Sequence, residues 1–285
     1  MKSDIKELRE RIKQKIPYLT ESQKIIANYI VENPQKFALS SVRELENELR
    51  TSKSTIVRLA QALGYNGFYE LKSSFLKKIR RDLEPIPRYK TYLTESQDKI
   101  DFIKLIVEES QSNIQDTLHS IDEDQYQKAL TYIENANHVY TIGLGVSSYV
   151  AQIASYLFTR ISIKSNYMTH GGVSFMEQII NFSPEDVILA FSFPPYSSET
   201  IDAVRYAHER KIRIISITDR VTNKIVQFSD ASLQVVVESV TISNSIIAVL
   251  VLLYAIVAQI GYDFKNKTLK TIETIEHLRK EKTKM

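Results

Sequence analysis

The sequence contains no cysteine and no tryptophan among its 285 residues, and only seven glycines and seven prolines. The absence of cysteine excludes disulfide bonds and Cys-based zinc sites, and it is typical of a protein in a reducing compartment. The five histidines are scattered along the chain without the spacing of metal ligands. We therefore expect neither a metal ion nor another cofactor.

Long hydrophobic runs are also missing. The longest, residues 246–258, has thirteen residues including one tyrosine, whereas a membrane-spanning helix needs about 20. The N-terminal stretch is charged and amphipathic throughout, which does not fit an export signal. We therefore expect a soluble cytoplasmic protein with no membrane segment, in which the apolar run belongs to a core or interface helix.

Charge is unevenly distributed along the chain. Residues 1–81 hold 17 Lys and Arg against 9 Asp and Glu, a net charge of +8, while the remainder holds 20 against 25, a net charge of −5. A basic N-terminal third favours a partner with a phosphate backbone. The length predicts two domains. We place an all-α domain at 1–81, a linker at 82–96 that contains two prolines, and a second domain at 97–285.

A pair of short helices is predicted between residues 41 and 64. Ser41 and Glu44 have the spacing of a capping box, and an apolar stripe follows at three- and four-residue intervals. The chain breaks at Arg50. Ser52 then caps a second helix, which ends before Gly64, where a left-handed residue is expected.

The outward face of the second helix is polar, because the helical period places Ser54, Arg58 and Gln61 opposite its apolar stripe. Such a pair is typical of a helix-turn-helix unit that reads the major groove, although an αα-hairpin with a polar outer face has the same spacing. The net charge of +8 favours DNA binding. The predicted DNA-binding residues are Ser52, Lys53, Ser54, Thr55, Arg58 and Gln61.

The second domain reads as an α/β doubly wound parallel sheet. Helices are predicted at about 98–119, with an apolar face at its start, at about 123–135, at 241–260 and at about 265–282. Between them lie five short apolar runs, which are typical of strands buried on both faces. The runs are HVYTIG, SNYM, DVILAFS, IRIISIT and SLQVVVE.

Small and hydroxyl-bearing residues follow the first, third and fifth predicted strands. The first two of these loops each open a helix, where backbone N–H groups and hydroxyls can bind an anion. The same residues also fit simple tight turns and helix caps. A dinucleotide site fits worse, because the third glycine of G-x-G-x-x-G is missing. The predicted effector-binding residues are Gly143, Gly145, Ser147, Ser148, Ser192, Tyr196, Ser197, Ser198 and Glu238.

Both halves resemble a known family. YLTESQKIIANYIVENP and SVRELENELRTSKSTIVRLAQALGYNGFYELK, within residues 18–75, resemble the N-terminal domain of RpiR/MurR-type bacterial transcriptional regulators. Residues 125–260 resemble the sugar isomerase (SIS) domain that these regulators carry. The resemblance implies a homodimer or homotetramer that binds operator DNA and responds to a sugar phosphate. It places the start of the recognition helix at Ser52, Lys53, Ser54, Thr55 and Arg58. It places the two SIS loops at Gly143, Gly145, Ser147, Ser192 and Ser197.

Two positions depart from the family pattern. SIS phosphate loops usually read Ser-x-Ser-Gly-x-Thr/Ser, whereas Pro194 and Pro195 stand here where the second Ser and the Gly belong. A hydroxyl donor is lost, and Pro195 has no N–H to offer. Arg50 occupies the helix-turn-helix turn, where a glycine is common.

The sequence therefore predicts a sequence-specific DNA-binding transcriptional regulator whose SIS domain senses a sugar phosphate or related metabolite. The apolar helix at 241–260 is expected to contribute to a symmetric interface between SIS domains. The alternative is a sugar-phosphate isomerase with a helical extension, since a His/Glu pair can move protons on a sugar. Its candidate residues are His170, Glu177, Glu199 and Glu238, but lone loop histidines are usually solvated, and we assign no catalytic residue.

Overall fold

The computed structural model describes residues 10–80, 86, 89, 93, 102–169 and 171–282. The chain divides into two compact units, Met1–Ser96 and Gln97–Met285. The predicted linker at 82–96 lies outside the described residues except at positions 86, 89 and 93. The predicted boundaries of the two domains therefore stay predictions.

The first unit is helical in its described part. Residues 10–15 form a helix that continues as a 3-10 turn at Ile16–Tyr18. Five helices follow: α1 (Glu21–Glu32), α2 (Pro34–Leu39), α3 (Val42–Leu49), α4 (Lys53–Ala62) and α5 (Phe68–Arg80). The ring of Phe37 packs edge-on against Phe68 and Phe75, with centroid distances of 5.9 and 5.2 Å. These contacts join α2 to α5 in one buried core.

Local hydrogen bonds account for where α3 and α4 begin and end. The Ser41 N–H donates to the Glu44 carboxylate at 2.6 Å, and the Glu44 N–H donates to the Ser41 hydroxyl at 3.2 Å, as the capping box predicts. The bond from the Ser41 N–H is the main cause that lowers the pKa of Glu44. Arg50 ends α3 in the left-handed region with φ 47°, and Gly64 follows α4 with φ +92°.

The second unit contains seven further helices and five strands among the described residues. In chain order they are α6 (Phe102–Ser120), α7 (Glu123–Glu134), β1 (Val139–Ile142), α8 (Val146–Arg160), β2 (Ser165–Tyr167), α9 (Phe175–Ile179), β3 (Val187–Ser192), α10 (Ser198–Glu209), β4 (Arg213–Thr218), β5 (Ala231–Gln234), α11 (Ile247–Asp263) and α12 (Lys265–Lys282). The strands form one parallel sheet in the order β2-β1-β3-β4-β5. Buried apolar clusters cover both faces of the sheet. The predicted fold class is confirmed.

The start of one helix in this unit was predicted wrongly. On α6, which lies where a helix was predicted, Phe102, Ile103 and Val107 are exposed, Ile103 at 81 %, and polar groups further along bond to the segment after β5. Asn113 donates to the Glu238 carbonyl at 2.8 Å, and the Thr117 hydroxyl accepts from the Val236 N–H at 2.9 Å. The apolar helix begins at Ile247 rather than 241, because hydroxyls of residues 239–243 hydrogen-bond locally and form a turn.

None of the described helices is by itself long and apolar enough to span a bilayer. Only α11 and α12 together reach the required length and composition, across a bend of 103°.

Candidate functional site

The outward face of α4 is polar and accessible. Ser54, Arg58 and Gln61 are exposed, while Ile56 and Leu59 are buried in the core of the helical unit. The helical period therefore placed these side chains correctly. A short helix anchored by its apolar face, with a cation and two hydrogen-bonding side chains outward, has the geometry of a recognition helix.

The first turn of α4 is held by side-chain hydrogen bonds. The Ser52 hydroxyl accepts from the Thr55 N–H at 3.3 Å and lies 2.8 Å from the Ser54 hydroxyl. The Lys53 N–H donates to the Glu46 carboxylate of α3 at 2.6 Å. The Ser52 hydroxyl is thus part of the helix cap, and the exposed side chains of Lys53 and Ser54 are the ones presented at this end.

An ionic cluster joins three other helices of this unit. The Lys36 ammonium bonds to the Glu48 carboxylate, which also accepts from the Tyr29 hydroxyl at 3.0 Å. The hydrogen bond from Lys36 is the main cause that lowers the pKa of Glu48. These contacts connect α1, α2 and α3.

The loop after β1 forms a close turn into α8. A Cβ atom at Gly143 would lie 2.7 Å from the Cβ and the carbonyl oxygen of Ser147, so only glycine fits there. Gly145 has φ +60° and precedes α8. Ser147 is 4 % exposed, and the Ser148 hydroxyl donates to the Gly145 carbonyl at 2.7 Å. The turn itself therefore requires these small residues, and contact with a ligand is a separate prediction.

The loop after β3 is held by hydrogen bonds from three segments. Ser192 is 3 % exposed, its hydroxyl accepts from the Asn223 amide at 3.2 Å, and its carbonyl accepts from the Thr218 hydroxyl at 2.7 Å. The Ser197 hydroxyl caps α10 by accepting from the Thr200 N–H at 3.2 Å. Ser198 is exposed in the first turn of α10.

A part-buried acidic residue that was not predicted, Asp219, lies beside this loop. The Tyr196 hydroxyl donates to the Asp219 carboxylate at 3.0 Å, and Arg220 Nε pairs with the same carboxylate at 2.9 Å. Burial raises the pKa of Asp219, against the opposing effect of Arg220. Asn244 binds the Pro194 carbonyl from the segment after β5. The position of Asp219 directly after the predicted fourth strand is visible in the sequence, but its pairing with Tyr196 is not.

The sheet topology places the two predicted loops side by side. Strands β1 and β3 are direct neighbours, while β2 lies on the other side of β1. This is the switch point of the doubly wound sheet, where ligands bind beyond the carboxyl ends of the strands. Glu238 lies further along, after β5, and its carbonyl is bound by Asn113. Asp219 directly follows β4, which lies between β3 and β5 in the sheet.

Two candidate catalytic residues of the isomerase alternative, Glu177 and Glu199, accept hydrogen bonds at the start of α9, Glu199 from the Phe175 N–H at 3.5 Å. His170 lies outside the described residues. The Glu177 carboxylate accepts from the N–H and hydroxyl of Ser174 at 2.8 and 2.7 Å, which lowers the pKa of Glu177 and completes the cap of α9. Glu177 therefore has a structural role.

Comparison with protein families identifies two domains. Residues 6–82 match the helix-turn-helix domain of the rpiR family, and residues 132–259 match the SIS domain. An uncharacterised HTH-type transcriptional regulator of Caldanaerobacter subterraneus subsp. tengcongensis is 26 % identical over 268 residues, covering 92 % of this chain and 94 % of the relative. HexR, an HTH-type transcriptional regulator of Escherichia coli, is 22 % identical over 209 residues, covering 73 % and 71 %.

Solved structures share the fold. The sugar isomerase domain of an RpiR transcription factor from Sphaerobacter thermophilus superposes with a TM-score of 0.60 at 21 % identity, covering 62 % of this chain and 99 % of that one. Vibrio vulnificus NanR, solved with ManNAc-6P, gives a TM-score of 0.57 at 20 % identity, covering 95 % and 98 %. At these identities the likeness concerns the fold.

Proposed function

The chain belongs to the rpiR-type helix-turn-helix regulators that carry a SIS domain, and from this we propose that it binds operator DNA under the control of a small carbohydrate-derived ligand. The observation that carries the proposal is the exposed face of α4, with Ser54, Arg58 and Gln61 outward on a basic helical unit. Arg58 reads a guanine edge, and the hydroxyls and amide beside it contact bases or phosphates.

The ligand site proposed for the SIS domain is the crevice between the loops after β1 and β3. The N-terminal ends of α8 and α10 open there and supply backbone N–H groups for an anion. Ser148, Ser197 and Ser198 add hydroxyls, and Tyr196 lies beside them with its hydroxyl on Asp219. Carboxylates accept hydrogen bonds from sugar hydroxyls, so this edge suits a ligand with both a phosphate and a polyol part.

The effector class is a sugar phosphate or a close relative. NanR, whose fold this chain shares, binds ManNAc-6P in its solved complex. Pro194 and Pro195 remove one hydroxyl and two backbone N–H groups from the phosphate loop, so we expect weaker binding of the phosphate than a complete Ser-x-Ser-Gly-x-Thr/Ser loop gives. The protein acts in the cytoplasm, where the operator and these metabolites meet, and it binds its ligand without converting it.

An oligomer would present two recognition helices to a pseudo-palindromic operator. We place a homodimer interface on α11, where Ile247, Val251 and Tyr254 are exposed at i, i+4 and i+7 on one face. Apolar side chains in such a stripe favour burial against a second copy.

Selection of genomic fragments by the purified protein tests the proposal. We expect enrichment of a common site containing two half-sites, in competition with excess unrelated duplex. A panel of sugar phosphates should include one that changes the recovery of that site. Recovery without any common site, or turnover of a sugar phosphate by the purified protein, would instead support the isomerase alternative.

A further inference from the structure

A groove of about 430 Å³ lies in the helical unit between residues 11–19 and the end of α4. Three of its lining residues, Ile12, Leu19 and Leu63, are buried apolar side chains. The remaining lining residues are polar, aromatic or small, and all but Tyr65 are exposed. They are Arg11, Gln14, Lys15, Tyr18, Ala62 and Tyr65.

The groove adjoins the recognition face of α4. Ala62 follows Arg58 by four residues, so both lie on the same side of the helix, about 6 Å apart along its axis. Both residues are exposed. The groove therefore opens onto the surface that Arg58 occupies, one helical turn further along.

The cations of the groove are available to an anionic partner. Arg11 and Lys15 are four residues apart and lie on one face of the N-terminal helix, while Ile12 is buried beneath it. The ion pairs between described residues of this unit involve Lys13, Lys24 and Lys36, and neither of these two side chains. Tyr18, 86 % exposed, adds a hydroxyl donor at the same rim.

We propose that this groove binds the sugar–phosphate backbone of duplex DNA beside the major groove that α4 enters. The inference rests on the proposed function. Phosphates flank a major groove about 12 Å wide, and the groove that Arg11 and Lys15 line together with Ala62 begins one helical turn beyond Arg58. Arg11 and Lys15 contact phosphates, and Tyr18 and Gln14 donate hydrogen bonds to the same strand. These contacts set the register of α4 and add affinity that is independent of sequence.

The salt dependence of DNA binding tests this assignment. The full-length double variant Arg11→Gln/Lys15→Gln should reduce the slope of log K against log salt by about 2, at 0.9 per phosphate. Affinity for the selected site and for unrelated duplex should fall by the same factor. Lys13→Gln is the matched control, since Lys13 lies on the same helix but pairs with Glu10 at 2.8 Å; it should keep the wild-type slope. The charge-preserving Arg11→Lys/Lys15→Arg variant should keep it as well.

The outcomes separate the inference from the proposed function. The double variant could melt like wild type, still discriminate between sequences and show the wild-type slope. That result overturns the groove assignment but leaves the proposed function intact. The wild type could instead fail to discriminate between sequences while its slope still depends on Arg11 and Lys15. That result supports the groove assignment and contradicts sequence-specific regulation. A change of oligomeric mass in the variant, with an unchanged slope, overturns the inference and assigns the groove to a second copy of the chain.

Discussion

At Ser197 a single hydroxyl has two roles, because it caps α10 and stands at the proposed ligand crevice. Ser197→Ala removes the bond to the Thr200 N–H, which costs about 0.5–2 kcal/mol of stability. It should also cost about 1.5–3 kcal/mol of effector affinity through one lost charge-assisted hydrogen bond. Calorimetric titration of sugar phosphates, sugar acids and free polyols into both proteins measures the second effect.

Ser174→Ala is the control for that titration. Ser174 caps α9 in the same way, accepting from the Glu177 N–H at 3.3 Å, but it is outside the predicted ligand set. It should lose stability and keep the affinity of wild type. An effector that binds wild type and Ser197→Ala equally would place the site elsewhere.

Asp219 should make stability depend on pH. Burial raises its pKa above the ordinary 3.8, so the native state binds this proton more tightly than the unfolded chain does. The contribution of Asp219 to the free energy of unfolding is therefore greatest below pH 3.8 and decreases as pH rises through the folded pKa. Urea unfolding of wild type and Asp219→Asn across this range measures it. The variant should lack this decrease, and an identical pH profile in both proteins would contradict the assignment.

Residues whose roles are set locally were predictable from sequence. The exposure of Ser54 and Arg58 follows from the helical period, and the cap at Ser41 follows from its spacing to Glu44. Asp219 and Asn223 were missed because their partners, Tyr196 and Ser192, are 23 and 31 residues away. Single-sequence patterns contain no signal for such long-range pairs. The predicted DNA-binding and effector residues themselves stay predictions.

At the scale of elements, β3 and β4 were predictable because each is a short apolar run that is buried on both faces. The edge strand β2 is buried only at Ser165, and its position followed from its place in the alternation of strands and helices. The position of α6 was predictable as well, but the way it packs was not. An amphipathic helix normally packs by its apolar stripe, yet the buried residues of α6 include Asn113 and Thr117. They bond the Val236 N–H and the Glu238 carbonyl, two backbone groups that follow β5 and are not paired in the sheet. Which backbone needs such partners is known only once the sheet is assembled.

Asn113→Ala tests this role of α6. The change leaves the Glu238 carbonyl without its amide partner in a part-buried setting, which should destabilise the protein by about 1–3 kcal/mol. Denaturant unfolding measures the loss. Gln111→Ala, an exposed position on the same helix, should change stability by less than about 0.5 kcal/mol. Equal stabilities of the two variants would show that the hydrogen bond contributes little.

At the scale of the whole molecule, the exposed stripe of α11 is the proposed interface between two copies. Val251, 46 % exposed, lies at its middle, between Ile247 and Tyr254. Val251→Glu should convert a dimer into a monomer, because the charge would be buried without a partner. Light scattering at micromolar concentration measures the mass. Val221→Glu, at an exposed valine outside this helix, should leave the mass unchanged, and a monomeric wild type would contradict the interface.

We propose that α4 reads DNA and that a ligand in the SIS domain controls this reading. Fluorescence anisotropy with the selected operator, for wild type and Arg58→Ala, tests it most directly. Arg58→Ala should lose about 1–3 kcal/mol of specific binding with an unchanged melting temperature, because Arg58 is exposed. Arg205→Ala, on α10 of the other unit, should bind normally, and one sugar phosphate should shift the wild-type affinity. An Arg58→Ala protein that binds its operator like wild type would contradict the account.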